Sequence, residues 1–159
     1  MVAGPEQNVP TVADASTSKR PGAGYSGTPL AVKLGLRPGQ VLALVGAPAG
    51  WSVEPVPDGV RVRRGLRGPA DVVIAFVRRA VELDTVRSVV LPKLGPDGAV
   101  WVAWPRRAGG HDSDVTDNLL REVLLPTGVV DVKVAALDED WSGLRFVWRR
   151  EQPTQARTR

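Results

Sequence analysis

The order of apolar and polar positions divides the chain into short segments of two kinds. Val41-Leu42-Ala43-Leu44-Val45 is a continuous apolar run closed by Gly46. Asp71-Val72-Val73-Ile74-Ala75-Phe76-Val77 and Ala99-Val100-Trp101-Val102-Ala103-Trp104 are two more. Runs of this length between turn residues read as strands buried on both faces, which implies helices on both sides of a sheet. Val60-Arg61-Val62-Arg63 alternates apolar and basic positions, so it reads as an exposed edge strand. Between the strands the period changes. Leu30, Val32 and Leu34, preceded by Thr28-Pro29 and followed by Gly35, predict a short helix with Thr28 as its N-cap. From 79 to about 91, Val81, Val86, Val89 and Val90 share a helical face while Glu82, Asp84 and Arg87 turn outward. A further helix is capped by Ser113 or Asp114, carries Val115, Leu119, Val123 and Leu124 as its stripe, and stops at Pro126 and Gly128. Two closing strands, 129–137 and 143–148, form a hairpin through Asp138-Glu139-Asp140-Trp141-Ser142. The expected fold is α/β: a mostly parallel Rossmann-like sheet of about six strands flanked by helices, ending in an antiparallel hairpin.

Composition narrows this picture. A chain of 159 residues, 43% hydrophobic and 24% charged, has the size and balance of one globular domain. The Pro, Gly, Ala, Ser and Thr content of residues 1–24 predicts a disordered leader. A single domain is expected over 25–150, with a disordered basic tail at 151–159. The absence of cysteine excludes disulfides, thiolate catalysis and iron–sulfur clusters, and the single histidine, His111, excludes a multi-histidine metal site. No apolar run approaches the ~20 residues that span a bilayer. No signal peptide is visible at the start, so the expected location is the cytoplasm, away from any membrane. The formal net charge is +4. Residues 1–24 are neutral and residues 149–159 carry +3, which leaves +1 for the expected core. The excess is a property of the tail, and nucleic acid is not an expected partner.

The string Leu34-Gly35-Leu36-Arg37-Pro38-Gly39 before a buried strand resembles the entry to the first strand of class I methyltransferase-like Rossmann folds. The run from Asp71 to Val77, a helix, and then Leu94-Gly95-Pro96-Asp97-Gly98-Ala99-Val100-Trp101-Val102 resembles their later half. The chain also resembles a bacterial family of small proteins known only as a domain of unknown function. That resemblance rests on Gly24-Tyr25-Ser26-Gly27-Thr28-Pro29-Leu30, Trp104-Pro105-Arg106, Val115-Thr116-Asp117, Val130-Asp131-Val132-Lys133-Val134 and Trp141-Ser142-Gly143-Leu144-Arg145-Phe146-Val147. It implies a fold and supplies no agreed activity. The methyltransferase resemblance implies a glycine-rich loop after the first strand and an acidic residue after the second. Here the loop reads Gly46-Ala47-Pro48-Ala49-Gly50, with a proline that removes an amide donor at its centre, and Arg61, Arg63 and Arg64 occupy the second neighbourhood. Only about 20 residues separate Gly50 from Asp71, so the cofactor half is curtailed.

Ligands of open α/β sheets bind at the carboxyl ends of the strands. That directs attention to Gly46, Gly50 and the loop from 104 to 114. The loop supplies Trp104, Arg106, Arg107, His111 and Asp114, a candidate pocket for a small anion at a helix start. Tyr25, Trp141 and Arg145 are candidate interface residues. Asp138-Glu139-Asp140 reads as a solvated turn in preference to a cation site. No Gly-x-Ser-x-Gly elbow is present, and no catalytic residue is assigned. The reading is a non-catalytic domain that binds a small anionic ligand or a protein partner, with no resident cofactor. The first alternative is an S-adenosylmethionine-dependent methyltransferase with a degenerate cofactor loop. The second is an oligomeric interaction module acting through the Trp141 hairpin.

Overall fold

A computed structural model of the chain describes residues 28–150, so the expected leader, the expected tail and Tyr25 lie outside the described residues. The strands are β1 (Val41–Val45), β2 (Arg61–Arg64), β3 (Ala70–Phe76), β4 (Leu94–Pro105), β5 (Val129–Ala136) and β6 (Trp141–Trp148). They form one sheet in the order β2-β1-β3-β4-β6-β5. β1 pairs in parallel with both β2 and β3, and β3 pairs in parallel with β4. β6 is antiparallel to β4 and to β5, which closes the sheet with the expected hairpin. A mixed sheet of six strands with one antiparallel strand inside it is therefore the observed architecture.

Period-2 alternation assigns the side chains of the inner strands to two cores. On one face Ala43, Val73, Ala75, Val100, Val102, Leu144 and Phe146 pack with Leu83, Val86, Val90, Leu120 and Leu124. The last five come from two helical segments. One is α2 (Leu83–Thr85), a single α-turn between a 3₁₀ turn at Ala80–Glu82, a π-type turn at Val86–Val90 and a second 3₁₀ turn at Leu91–Lys93. The other is α3 (Asp117–Leu124). On the opposite face Leu42, Leu44, Val72, Ile74, Phe76, Trp101 and Ala103 pack with Ala31 and Leu34 of α1 (Leu30–Leu34).

Four expectations change. Pro29, not Thr28, stands at the N-cap of α1, and its carbonyl accepts the amides of Val32 and Lys33. In the segment from 80 to 93, Val81 is 77% exposed and Val89 47% exposed, while Leu83 and Leu91 are buried, because the changing helical pitch rotates the apolar face. α3 starts two or three residues later than expected. Thr116 caps it, its Oγ1 accepting the amide of Leu119 at 3.1 Å, and Leu120 and Leu124 are its fully buried residues. Lastly, burial of the second face needs little helix: beyond α1, it is completed by Val53, with Trp51 and Val56 packed alongside, in the irregular stretch after β1. There is no helix between β1 and β2, nor between β2 and β3. The return from β2 is a five-residue strap at 65–69 whose Leu66 packs on the core where a crossover helix would lie.

Candidate functional site

β1 leads to β2 on one side and has β3 on the other, so the strand order switches between β1 and β3. The crevice at the carboxyl ends of these two strands is where this architecture binds ligands. Here it is occupied by the protein itself. Gly46 leaves β1 with φ of 75°, and a Cβ on it would lie 3.0 Å from the carbonyl oxygen of Phe76. The Phe76 ring stands edge-to-face between Trp51 (centroids 4.8 Å apart) and Trp141 (5.0 Å). Edge-to-face contact is the favoured geometry for aromatic rings, and burial of Phe76 and Trp141, with Trp51 partly buried beside them, adds to it. Polar contacts hold the group in place. The Trp51 indole Nε1 donates to Asp138 Oδ2 at 2.9 Å, and Arg64 donates to the Trp51 carbonyl. Arg78 lies over the Trp141 ring at 5.1 Å and donates to the Gly46 carbonyl at 3.2 Å. Asp138 Oδ1 accepts the amides of Asp140 and Trp141, so the acidic hairpin tip is a capped turn.

Beside this aromatic plug, above the ends of β3 and β4, runs an open groove of about 790 Å³. Arg78, Arg79, Arg107, His111, Asp112, Asp140 and Trp141 are among the residues that line it. His111 Nε2 meets Asp140 Oδ1 at 2.9 Å and joins the loop after β4 to the hairpin. Asp114 Oδ1 accepts the amide of Ala80 at 2.8 Å, and Ser113 Oγ donates to the Arg78 carbonyl at 2.9 Å. These two bonds tie the loop to the exit from β3 and leave the N-terminus of α3 to Thr116. No ion pair engages Arg79, Arg107 or Asp112 among the described residues.

The expected site residues therefore separate. Arg107, His111 and Asp114 line the groove, as does Trp141, which was expected at an interface. Trp104 lines a smaller neighbouring cavity of about 300 Å³ with Arg107 and Ser113. The Arg106 guanidinium points away, donating to the carbonyls of Asp138 (3.3 Å) and Glu139 (3.1 Å). Gly46 sits at the plug, and Gly50 (φ 79°) stands in open space. Arg145 lies on the α1 face, far along β6 from the groove. Sequence reasoning missed Phe76, Trp51, Arg78 and Arg79. Two arginines directly after the buried run that ends at Val77 are the signal that would have found Arg78 and Arg79.

An adenosyl cofactor does not fit these residues. Its crevice holds Trp51, Phe76 and Trp141, and the residues after β2 are Gly65, Leu66 and Arg67, with no carboxylate. The solved structures that resemble the chain nevertheless share its sheet. The fibrillarin pre-rRNA processing protein of Methanococcus jannaschii aligns with a TM-score of 0.51 and 14% identity over 77% of this chain and 74% of its own. The ribosomal protein L11 methylase of Lactobacillus delbrueckii subsp. bulgaricus aligns with a TM-score of 0.50 and 12% identity over 76% and 75%. A structure of a fibrillarin/Nop5p complex gives 0.51 and 13% over 79% and 85%. The fold is Rossmann-like, of the methyltransferase type. No family model matches the chain, and no curated protein matches it. Among the described residues no helix is long and apolar enough to cross a membrane, and no group of three or more acidic or histidine side chains is placed to hold a metal ion.

Proposed function

We propose that the chain is a methyltransferase-fold domain that works by binding, taking a small anionic ligand in the groove above β3 and β4. The observation that carries this reading is the pairing of a self-filled crevice with an open groove whose walls present Arg79 and Arg107 outside any ion pair. Guanidinium groups grip carboxylates and phosphates through paired donors. His111 and the Asp140 it contacts set the width of the groove at the hairpin end. The residue strings that resemble the bacterial domain of unknown function support membership of that family. A thermal-shift screen of anionic metabolites tests the binding role. One class of anion is expected to raise the melting temperature of the native chain and to lose that effect in Arg107→Gln. No response to any anion would refute it.

Methyl transfer from S-adenosylmethionine is the competing reading. The structural likenesses favour it over a binding role, since the L11 methylase is named for that activity. The side chains at the end of β1 favour binding, because three rings would have to leave before the cofactor could enter.

A further inference from the structure

A second group of cations lies on the α1 face, away from the groove. In the antiparallel register Arg145 of β6 stands opposite Trp101 of β4 and opposite Lys133 of β5. Cross-strand partners share a face, so these three side chains rise on the side that α1 covers. Gly35 ends α1, and the Arg145 guanidinium lies 3.9 Å from the place a Cβ there would take. Arg37 follows two residues later, and its charge acts on Arg145. The charge of Lys133 acts in turn on Lys33, whose Nζ donates to the Ala136 carbonyl at 2.8 Å. The acid on β5, Asp131, is on the other face, bound to Arg121 at 2.9 Å. Among the described residues no carboxylate pairs with Arg37, Lys133 or Arg145.

Arg145 is half-buried while Arg37 and Lys133 are exposed, so it is the Arg145 guanidinium that gains most from a counter-charge. The carboxyl end of a helix as short as α1 compensates only in part. We propose that this face binds a phosphate-class anion, gripped by Arg145 and Arg37 with Lys133 at its rim. Two arginines, one on a strand and one on the turn that follows α1, carry the several N–H donors that a phosphate accepts. The site is separate from the groove, so it stands or falls independently of the binding role proposed above.

Thermal unfolding of the full chain tests it, with inorganic phosphate compared against chloride at equal ionic strength. Phosphate is expected to raise the melting temperature by a few degrees in the native chain and in Arg61→Gln, which removes one charge from distant β2. The rise is expected to disappear in Arg145→Gln and in Arg37→Gln; the second variant, on an exposed turn, covers the case in which the first fails to fold. A thymidine oligonucleotide forms a second arm. Binding of the oligonucleotide that depends on Arg145, with free phosphate silent, identifies the phosphate as that of a nucleic acid; a response to free phosphate identifies a small ligand. Silence of both arms in the native chain overturns the proposal. So does a phosphate response that survives Arg145→Gln and vanishes in Arg107→Gln, because the anion would then sit in the groove.

Discussion

At Gly46 the chain must turn out of β1 while passing the carbonyl of Phe76. Both the left-handed φ of 75° and the 3.0 Å approach exclude a side chain without adjustment of the backbone. Gly46→Ala is expected to cost about 1–3 kcal/mol, measured by denaturant unfolding, where an alanine in a compatible conformation would cost nothing. Lys33 offers a test by pH. It is 8% exposed, and burial, followed by the charges of Lys133 and Arg106, lowers its pKa below the ordinary 10.5. Between that lowered value and 10.5 the unfolded chain binds the proton that the folded chain has lost. The Lys33 contribution to stability therefore rises with pH through this window and levels off above it. The stability of the native chain minus that of Lys33→Met should climb with pH over the same range. A flat or falling difference would show that the ammonium is not penalised in the fold.

At the level of elements, the buried strands were legible because an apolar run between glycines has few other uses. β1, β3 and the hairpin of β5 and β6 lie within a residue or two of their expected limits. β4 starts five residues earlier than expected, since Leu94 pairs with Ala70 before Gly95-Pro96-Asp97-Gly98 leaves the ladder. Helix starts were less legible, because Ser113, Asp114 and Thr116 are all competent caps and only tertiary contacts choose among them. Asp114 and Ser113 are drawn to Ala80 and Arg78 across the groove, which leaves Thr116 for α3. Thr116→Ala should accordingly destabilise the fold by about 1 kcal/mol. The stretch from 80 to 93 misled in another way: its valines fit one uniform helix, while the chain changes pitch there three times. With Val81 and Val89 exposed, it holds the sheet through Leu83, Val86, Val90 and Leu91, and its backbone bonds change type along its length. Hydrogen exchange is expected to be faster across 80–93 than across β3 and β4, and equal protection would contradict this.

For the whole molecule, the decisive contacts join residues far apart in sequence. Phe76 meets Trp51 and Trp141, and Trp51 is bonded to Asp138. No local period announces such a cluster, so the sequence marked Trp141 as an interface candidate without showing that it packs with Phe76 and Trp51 in the crevice. The sequence did reveal that the cofactor half was curtailed, from the proline in the loop after β1 and the short path to β3. What it concealed was the replacement: the stretch that would carry a helix instead delivers Trp51 and Val53 to the sheet. Phe76→Ala is expected to cost about 3–5 kcal/mol, because it removes the ring shared by both aromatic contacts and leaves a cavity at the switch in strand order.

This protein has a sheet of the methyltransferase type whose ligand crevice holds its own aromatic side chains. Titration calorimetry of the full chain with S-adenosylmethionine addresses it directly. No measurable heat of binding is expected at concentrations up to about 1 mM, for which any affinity would correspond to less than about 4 kcal/mol. Saturable binding in the micromolar range would mean that Trp51, Phe76 and Trp141 yield to the cofactor, and would contradict the account.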